Sequence, residues 1–137
     1  MGVLGAVTTN GVGVAGSTWK PYLLPVRALG KCGGYDSDII VGMQWAAGLT
    51  VTSPEGAAVP DNPYPADIIN LSLGGTGACP SAYGSVISTL TTMGVLIVAS
   101  AGNGGALVDA PGTCRGVLAV AGLRNVGPKV GYRRWGP

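Results

Sequence analysis

The feature that most constrains the fold is a series of short apolar runs separated by segments with helical periodicity. Residues 22–29, 66–71, 95–99 and 117–121 are strand-length runs made mostly of apolar side chains. Near-continuous apolar strands joined by helices are typical of a parallel sheet that is covered by helices on both faces. The sequence therefore predicts an α/β fold with four strands.

Two segments between these runs have helical periodicity. In residues 38–49 the apolar side chains recur at helical spacing, Ser37 is placed to cap the N-terminus, and Asp38 suits the positive end of the helix dipole. Residues 81–93 repeat the pattern and stop at Gly94. The predicted apolar faces comprise Ile39, Ile40, Met43, Ala46 and Ala47 in the first helix, and Val86, Ile87, Leu90 and Met93 in the second.

Composition excludes several classes of function. The chain has 137 residues, 47% hydrophobic and 10% charged, with a net charge of +2. These values fit one modest domain and argue against a nucleic-acid-binding protein. No apolar run reaches the roughly 18 residues of a membrane helix, so no membrane partner is expected, and no signal peptide is recognisable in the chain as written. Because there is no histidine, neither a Ser–His–Asp triad nor a His-ligated metal can be completed within these residues.

Three glycine-bearing loops follow predicted strands, at residues 30–34, 72–75 and 100–105. Ligands of parallel sheets bind at the carboxyl ends of the strands. Asn103 is either a solvated side chain in an ordinary glycine turn or an amide donor for a developing oxyanion. Residues 72–75 are either a plain strand end or an open edge that pairs with an extended peptide.

A glycine pattern near the N-terminus suggests a different function. Residues 11–16 match the G-x-G-x-x-G pattern of dinucleotide sites, which requires a helix to open directly on the glycines. Residues 17–21 are too few for a crossover helix before the next apolar run. Nucleotide binding is therefore not expected, and residues 50–65, with four prolines, are expected to be a loop.

Five motifs occur together in a recognisable order and spacing. They are Pro25-Val-Arg-Ala-Leu-Gly30, Ile69-Asn-Leu-Ser-Leu-Gly-Gly75, Val98-Ala-Ser-Ala-Gly-Asn103, Ala110-Pro-Gly-Thr-Cys114 and Val117-Leu-Ala-Val-Ala121. The set resembles the subtilisin-like serine protease family, most of all its secreted bacterial members with disulfides. The resemblance implies a parallel-sheet α/β fold of the three-layer αβα type. Residues 1–137 would be a partial peptidase domain in which the opening strand and the nucleophile helix are missing.

The same resemblance implies a function in extracellular proteolysis. The chain is expected to be a fragment of a secreted serine endopeptidase that acts on extended polypeptides. No residue matches the Asp, His or Ser of the family's triad, so the fragment is expected to be inactive alone. The alternative is a non-catalytic peptide-binding module that keeps the groove without the chemistry.

The resemblance also assigns roles to individual residues. Asn103 matches the oxyanion-hole asparagine. Ser72, Leu73 and Gly74 match one edge of the substrate groove, Gly33 and Gly34 match the opposing edge, and Ala99, Ser100 and Ala101 wall the specificity pocket with Gly112 near its floor. Such a pocket is open and uncharged, and it is expected to suit a large apolar side chain.

Residues 8–14 resemble the family's calcium loop. The resemblance implies carbonyl ligands from Thr8, Val12 and Val14 and a side-chain ligand from Asn10, all of them the hard oxygen donors that calcium prefers. A structural calcium ion is the only cofactor expected, and no organic cofactor is expected.

The three cysteines are an odd number, so one is free or has its partner outside this chain. In the disulfide-bearing proteins that the chain resembles, the implied pair is Cys79 with Cys114, between loops that border the pocket. Such a pair stabilises the fold by roughly 3–4 kcal/mol in the chain-entropy model; two separate buried thiols are the alternative. The counterpart of Cys32 tends to pair with an upstream segment, so Cys32 is predicted to be free.

The implied position of the missing opening strand affects stability. In the family that strand lies between those matching residues 22–29 and 66–71, and its absence leaves unpaired backbone groups that cost on the order of 1–3 kcal/mol each. We therefore expect these residues alone to be marginally stable or prone to aggregate.

Overall fold

The computed structural model describes residues 2–104 and 107–122, and these contain three helices and three strands. In chain order they are α1 (Gly2–Gly5), α2 (Asp36–Ala46), β1 (Ile68–Leu71), α3 (Ser81–Thr92), β2 (Leu96–Ser100) and β3 (Val117–Val120). The strands form one parallel sheet in the order β1-β2-β3. The predicted α/β class and the parallel sheet are confirmed.

Residues 22–29 do not form the predicted first strand. A strand requires a hydrogen-bonded neighbour, and no strand of the described sheet pairs with this segment. Pro25 also removes one backbone donor from its middle. The segment lies instead beside α2, where an ideal Cβ on Gly42 would be 3.3 Å from Val26 Cγ1. Its Leu24 and Ala28 pack on the core.

Helix α2 begins two residues earlier than predicted. Tyr35 occupies the N-cap position without a side-chain hydrogen bond, and Ser37 lies inside the first turn rather than at the cap. Asp36 and Asp38 are both in that turn, where carboxylates interact favourably with the helix dipole. The helix ends at Ala46 because Gly48 adopts a φ of +86°. The predicted buried face is confirmed.

Helix α3 closely matches its prediction except at one apolar position. Ile87 and Leu90 are fully buried, and Tyr83 joins them. Met93 is the C-cap residue and is 47% exposed, so it does not belong to the buried stripe. Gly94, with a φ of +90°, ends the helix as expected.

A contact between the first turns of α2 and α3 perturbs one titratable group. Tyr83 Oη donates a hydrogen bond of 3.3 Å to Asp36 Oδ1. Burial, together with the charge and hydrogen bond of Asp36, raises the pKa of Tyr83 to about 12.

The core lies on one face of the sheet. Side chains of α2 and α3 pack there against alternate residues of the strands, including Ile69, Leu71, Ile97 and Ala99. On the opposite face Ile68, Leu96, Leu118 and Val120 are 44–61% exposed; we call these four residues the open sheet face. Within the described residues α2 and α3 share one side of the sheet, which agrees with a three-layer fold that is incomplete.

Residues 50–65 contain no helix or strand, as predicted, but they are fixed by one buried side chain. Asn62 is 6% exposed. Its Nδ2 donates to the carbonyls of Trp45, Ala46 and Tyr64 at 3.0–3.3 Å, and its Oδ1 accepts from Tyr64 N at 2.9 Å. The loop is therefore anchored to the C-terminal end of α2.

Candidate functional site

Three loop segments meet at the carboxyl end of the sheet. Ser100 Oγ at the end of β2 donates to Leu73 O, after β1, at 3.2 Å. Gly75 and Ala110 exchange two backbone hydrogen bonds of 2.9 Å, and Asp109 N donates to Ala101 O at 3.3 Å. The predicted groove edge, the predicted pocket wall and the loop before β3 thus form one connected site.

Glycines allow these segments to approach closely. An ideal Cβ on Gly112 would lie 3.2 Å from Ser100 O and 2.8 Å from Val108 Cγ1. An ideal Cβ on Gly74 would lie 2.9 Å from Ala110 O. Neither distance leaves room for a side chain. Gly112 therefore lies beside Ser100, and its place near the floor of a specificity pocket stays a prediction.

A disulfide joins two of the loops at this site. Cys79 and Cys114 are bonded with an S–S distance of 1.97 Å, and Cys32 is free and exposed. The predicted pairing is confirmed. The bond links the segment after β1 to the loop before β3, and so reinforces the Gly75–Ala110 contact.

The expected oxyanion donor lies at the surface of the site. Asn103 follows the end of β2 by three residues and is exposed. Ala99 and Ala101 are 1% and 7% exposed, while Ser100 is half-buried. Ser72 is exposed and accepts a hydrogen bond of 2.9 Å from Asn70 Nδ2. The chemical roles of these residues stay predictions.

The predicted opposing edge lies on a tight turn. Gly30 and Gly33 pair across it, with Gly30 N donating to Gly33 O at 2.7 Å, and Gly33 has a φ of +106°. An ideal Cβ on Gly34 would lie 2.6 Å from Ala28 O, so the turn folds back closely on the preceding segment. Gly33 and Gly34 are exposed, and a peptide lying between them and residues 72–74 stays a prediction.

A charged residue that sequence reasoning did not assign to the site lies beside the predicted pocket wall. The carboxylate of Asp109 lies directly against Gly102, where an ideal Cβ would be 2.7 Å from Asp109 Cγ. The expectation of an uncharged pocket did not take this carboxylate into account. The sequence offered one indication that Asp109 belongs to this site: it lies immediately before the Ala110-Pro-Gly-Thr-Cys114 motif.

The loop expected to bind calcium borders a small, open depression. Residues 7–15 line about 140 Å³, and Thr9, Gly11 and Gly13 have φ of 65–71°. Asn10 Oδ1 accepts a hydrogen bond of 3.1 Å from Val12 N. The described residues hold no cluster of three His, Cys, Asp or Glu that would bind a metal. The loop's uncharged oxygens fit calcium in type, and their lack of charge implies weak affinity.

The chain is similar to proteins of known activity. Residues 1–132 match the Subtilase family. The chain is 44% identical to an extracellular basic protease of Dichelobacter nodosus, over 98% of this chain and 22% of that protein. It is 40% identical to an extracellular protease of Xanthomonas campestris pv. campestris, over 98% of this chain and 23% of that protein. A solved structure of proteases from Pseudoalteromonas arctica matches with a TM-score of 0.85 and 42% identity, covering 97% of this chain and 39% of that one.

The parallel sheet and the loops at its carboxyl end form an α/β fold that the chain shares with the solved structure from Pseudoalteromonas arctica. The chain belongs to the subtilase family. It spans about a fifth of the length of the two sequence relatives. No helix within the described residues has the length and apolarity needed to cross a bilayer.

Proposed function

We propose that this chain forms the substrate-binding and oxyanion-stabilising part of a secreted serine endopeptidase that cleaves extended polypeptides. One observation carries the proposal: residues 72–75, residues 99–103 and the loop before β3 are joined by hydrogen bonds and a disulfide into one site at the carboxyl end of a parallel sheet. The extracellular names of the relatives and the disulfide support secretion, since disulfides persist in oxidising compartments.

Each element of the site has a distinct role in this function. Residues 72–74 offer backbone groups at an edge that an extended peptide pairs with as an added strand. Asn103 donates its amide to the oxyanion that forms when the scissile carbonyl is attacked. A Ser–His–Asp mechanism needs a histidine, which these 137 residues do not contain, so the isolated chain is expected to hydrolyse no peptide.

The test compares the complete product of the gene that encodes this chain with its Asn103→Ala variant. We expect peptide hydrolysis, with kcat lowered on the order of 10²–10³-fold in the variant, a magnitude known from subtilisin itself, and with little change in KM. The control variant is Thr113→Ala, which changes an exposed residue of the loop before β3. Peptide binding without hydrolysis would favour the alternative, a non-catalytic peptide-binding module.

A structural calcium ion in residues 7–15 is part of the proposal. It is supported by the depression and by the oxygen donors of Thr8, Asn10, Val12 and Val14 that line it. For a dissociation constant near ~1 mM, 10 mM calcium stabilises the chain by about 1.4 kcal/mol. Thermal unfolding with calcium and with magnesium provides the measurement. Equal stabilisation by both ions, or its survival in Asn10→Ala, would argue against the site.

A further inference from the structure

We propose that Asp109 makes the specificity pocket selective for a Lys or Arg side chain of the substrate. This inference rests on the proposed function, because it assigns a charge preference to the pocket of that site.

The backbone places Asp109 between two walls of the site. Its own N–H donates to Ala101 O at 3.3 Å, in the segment that follows β2. The next residue, Ala110, exchanges two hydrogen bonds of 2.9 Å with Gly75 at the groove edge. Because both neighbours are fixed, the Asp109 side chain is held where these two segments meet.

The walls on either side lack side chains where they face Asp109. An ideal Cβ on Gly102 would lie 2.7 Å from Asp109 Cγ, and one on Gly74 would lie 3.6 Å from Asp109 Cβ. The half-buried carboxylate therefore fills space that two glycines leave open. Asp109 therefore lies beside Ala101, in the predicted pocket wall, and beside Gly102, the residue that precedes Asn103.

Asp109 gives the pocket its charge. The other residues assigned to the pocket are Ala99, Ser100, Ala101 and Gly112, all of them uncharged. Asp109 is also the only acidic residue after Asp67 in the sequence. A half-buried carboxylate attracts a cation more strongly than one in bulk water, whereas an apolar side chain would remove its water without replacing the hydrogen bonds. A guanidinium group offers parallel donors that match a carboxylate.

The experiment measures binding of peptides that resemble the N-terminal product of cleavage and cannot be cleaved further. Fluorescein-labelled tetrapeptides ending in Arg, Lys, citrulline, Leu or Phe are titrated with the complete gene product, and fluorescence anisotropy gives Kd. We expect the Arg and Lys peptides to bind at least about tenfold more tightly than the others, the factor of one charge-assisted hydrogen bond. Citrulline has the shape of Arg without its charge, so it isolates the electrostatic contribution.

Three variants test whether Asp109 is the residue that causes the preference for Arg and Lys peptides. Asp109→Asn is expected to abolish the ratio between the Arg and citrulline peptides, and Asp109→Glu to retain most of it. Asp67→Asn makes the same change of charge at an exposed position outside the site, and is expected to leave the ratio unchanged.

The outcomes separate this inference from the proposed function. Tighter binding of the Leu or Phe peptides, or an equal loss of affinity for all five peptides in Asp109→Asn, would overturn the charge preference while leaving the groove intact. The second pattern would make Asp109 a residue that only positions the Gly102–Asn103 turn. Failure of every peptide to bind would overturn the proposed function and this inference together.

Discussion

At the scale of single residues, Asn62 has the most extensive set of side-chain hydrogen bonds in the described structure. Its amide satisfies carbonyls of both α2 and its own loop. Asn62→Ala leaves these carbonyls and Tyr64 N without their partner, so we expect the free energy of unfolding to fall by about 2 kcal/mol. Urea denaturation measures the change. Asn70→Ala, at an exposed asparagine with one side-chain bond, is expected to stay within about 0.5 kcal/mol.

Tyr83 makes stability depend on pH at the alkaline end. Its pKa is about 12 in the folded chain, against about 10 in an unfolded chain. Between these values the folded state binds more protons than the unfolded state, so the free energy of unfolding falls as pH rises. The contribution is fully present below about pH 10 and is lost as pH rises through 12.

Tyr83→Phe is expected to flatten this decline. Urea unfolding at pH values from 9 to 11.5 gives the slopes, with the exposed Tyr64→Phe as the control. The difference in slope between the two variants is the relevant quantity, because contributions from the rest of the chain are common to both. Identical slopes would show that Tyr83 has the same pKa in both states.

Sequence reasoning identified residues by their motif but not by their spatial neighbours. Asn103 was assigned from the residues that precede it along the chain, and the structure places it exposed at the end of β2. Asp109 and Asn62 were not assigned to any site or contact, because their contacts are with Gly102 and with Ala46, in segments that no local pattern pairs with them.

At the scale of secondary structure, two glycines end α2 and α3 in the left-handed region. Gly94 has a φ of +90° and no atom within 4 Å of an ideal Cβ, whereas Gly48 has a φ of +86° and an ideal Cβ 2.7 Å from Pro65 Cγ. Gly94→Ala thus adds backbone strain alone, which we expect to cost about 1 kcal/mol. Gly48→Ala adds a steric clash and is expected to cost more.

Thermal and urea unfolding of the two variants test this order. Gly104→Ala is the matched control, since Gly104 has open space around an ideal Cβ and no positive φ. A larger loss in Gly94→Ala than in Gly48→Ala would contradict the assigned contact with Pro65.

Helices were predicted better than strands because their evidence is local. The buried faces of α2 and α3 follow from the spacing of their apolar residues, and the glycine stop of α3 was visible in the sequence. The end of α2 was misplaced, because the predicted helix ran past Gly48 to Leu49. Residues 22–29 have the composition of a strand, but strand formation depends on a neighbour elsewhere in the chain. The start of α2 was misplaced because Ser37 is a common cap residue, whereas Tyr35 is not.

At the scale of the whole molecule, the open sheet face governs solubility. Its four apolar side chains lie on the same side of three adjacent strands, and exposed apolar surfaces promote association. We expect the double variant Leu96→Lys, Leu118→Lys to aggregate at higher concentration than the unchanged chain, with a similar free energy of unfolding. Light scattering over a concentration series measures this.

A control variant separates charge from position. Tyr64→Lys changes a residue that is 78% exposed and lies outside the open sheet face, and it should leave the aggregation threshold nearly unchanged. If it raises the threshold as much as the double variant, net charge rather than the sheet face limits solubility.

The bonds that shape the pocket lie within one uninterrupted stretch of sequence. Ser100 with Leu73, Gly75 with Ala110, Asp109 with Ala101, and Cys79 with Cys114 all connect positions between residues 72 and 114. A single recombination event on each side of this stretch would therefore carry the complete pocket, with its internal crosslinks, into a homologous gene. Selectivity in such proteins can diversify by exchange of one cassette, provided that the contacts of α3 with α2, such as Tyr83 with Asp36, are kept.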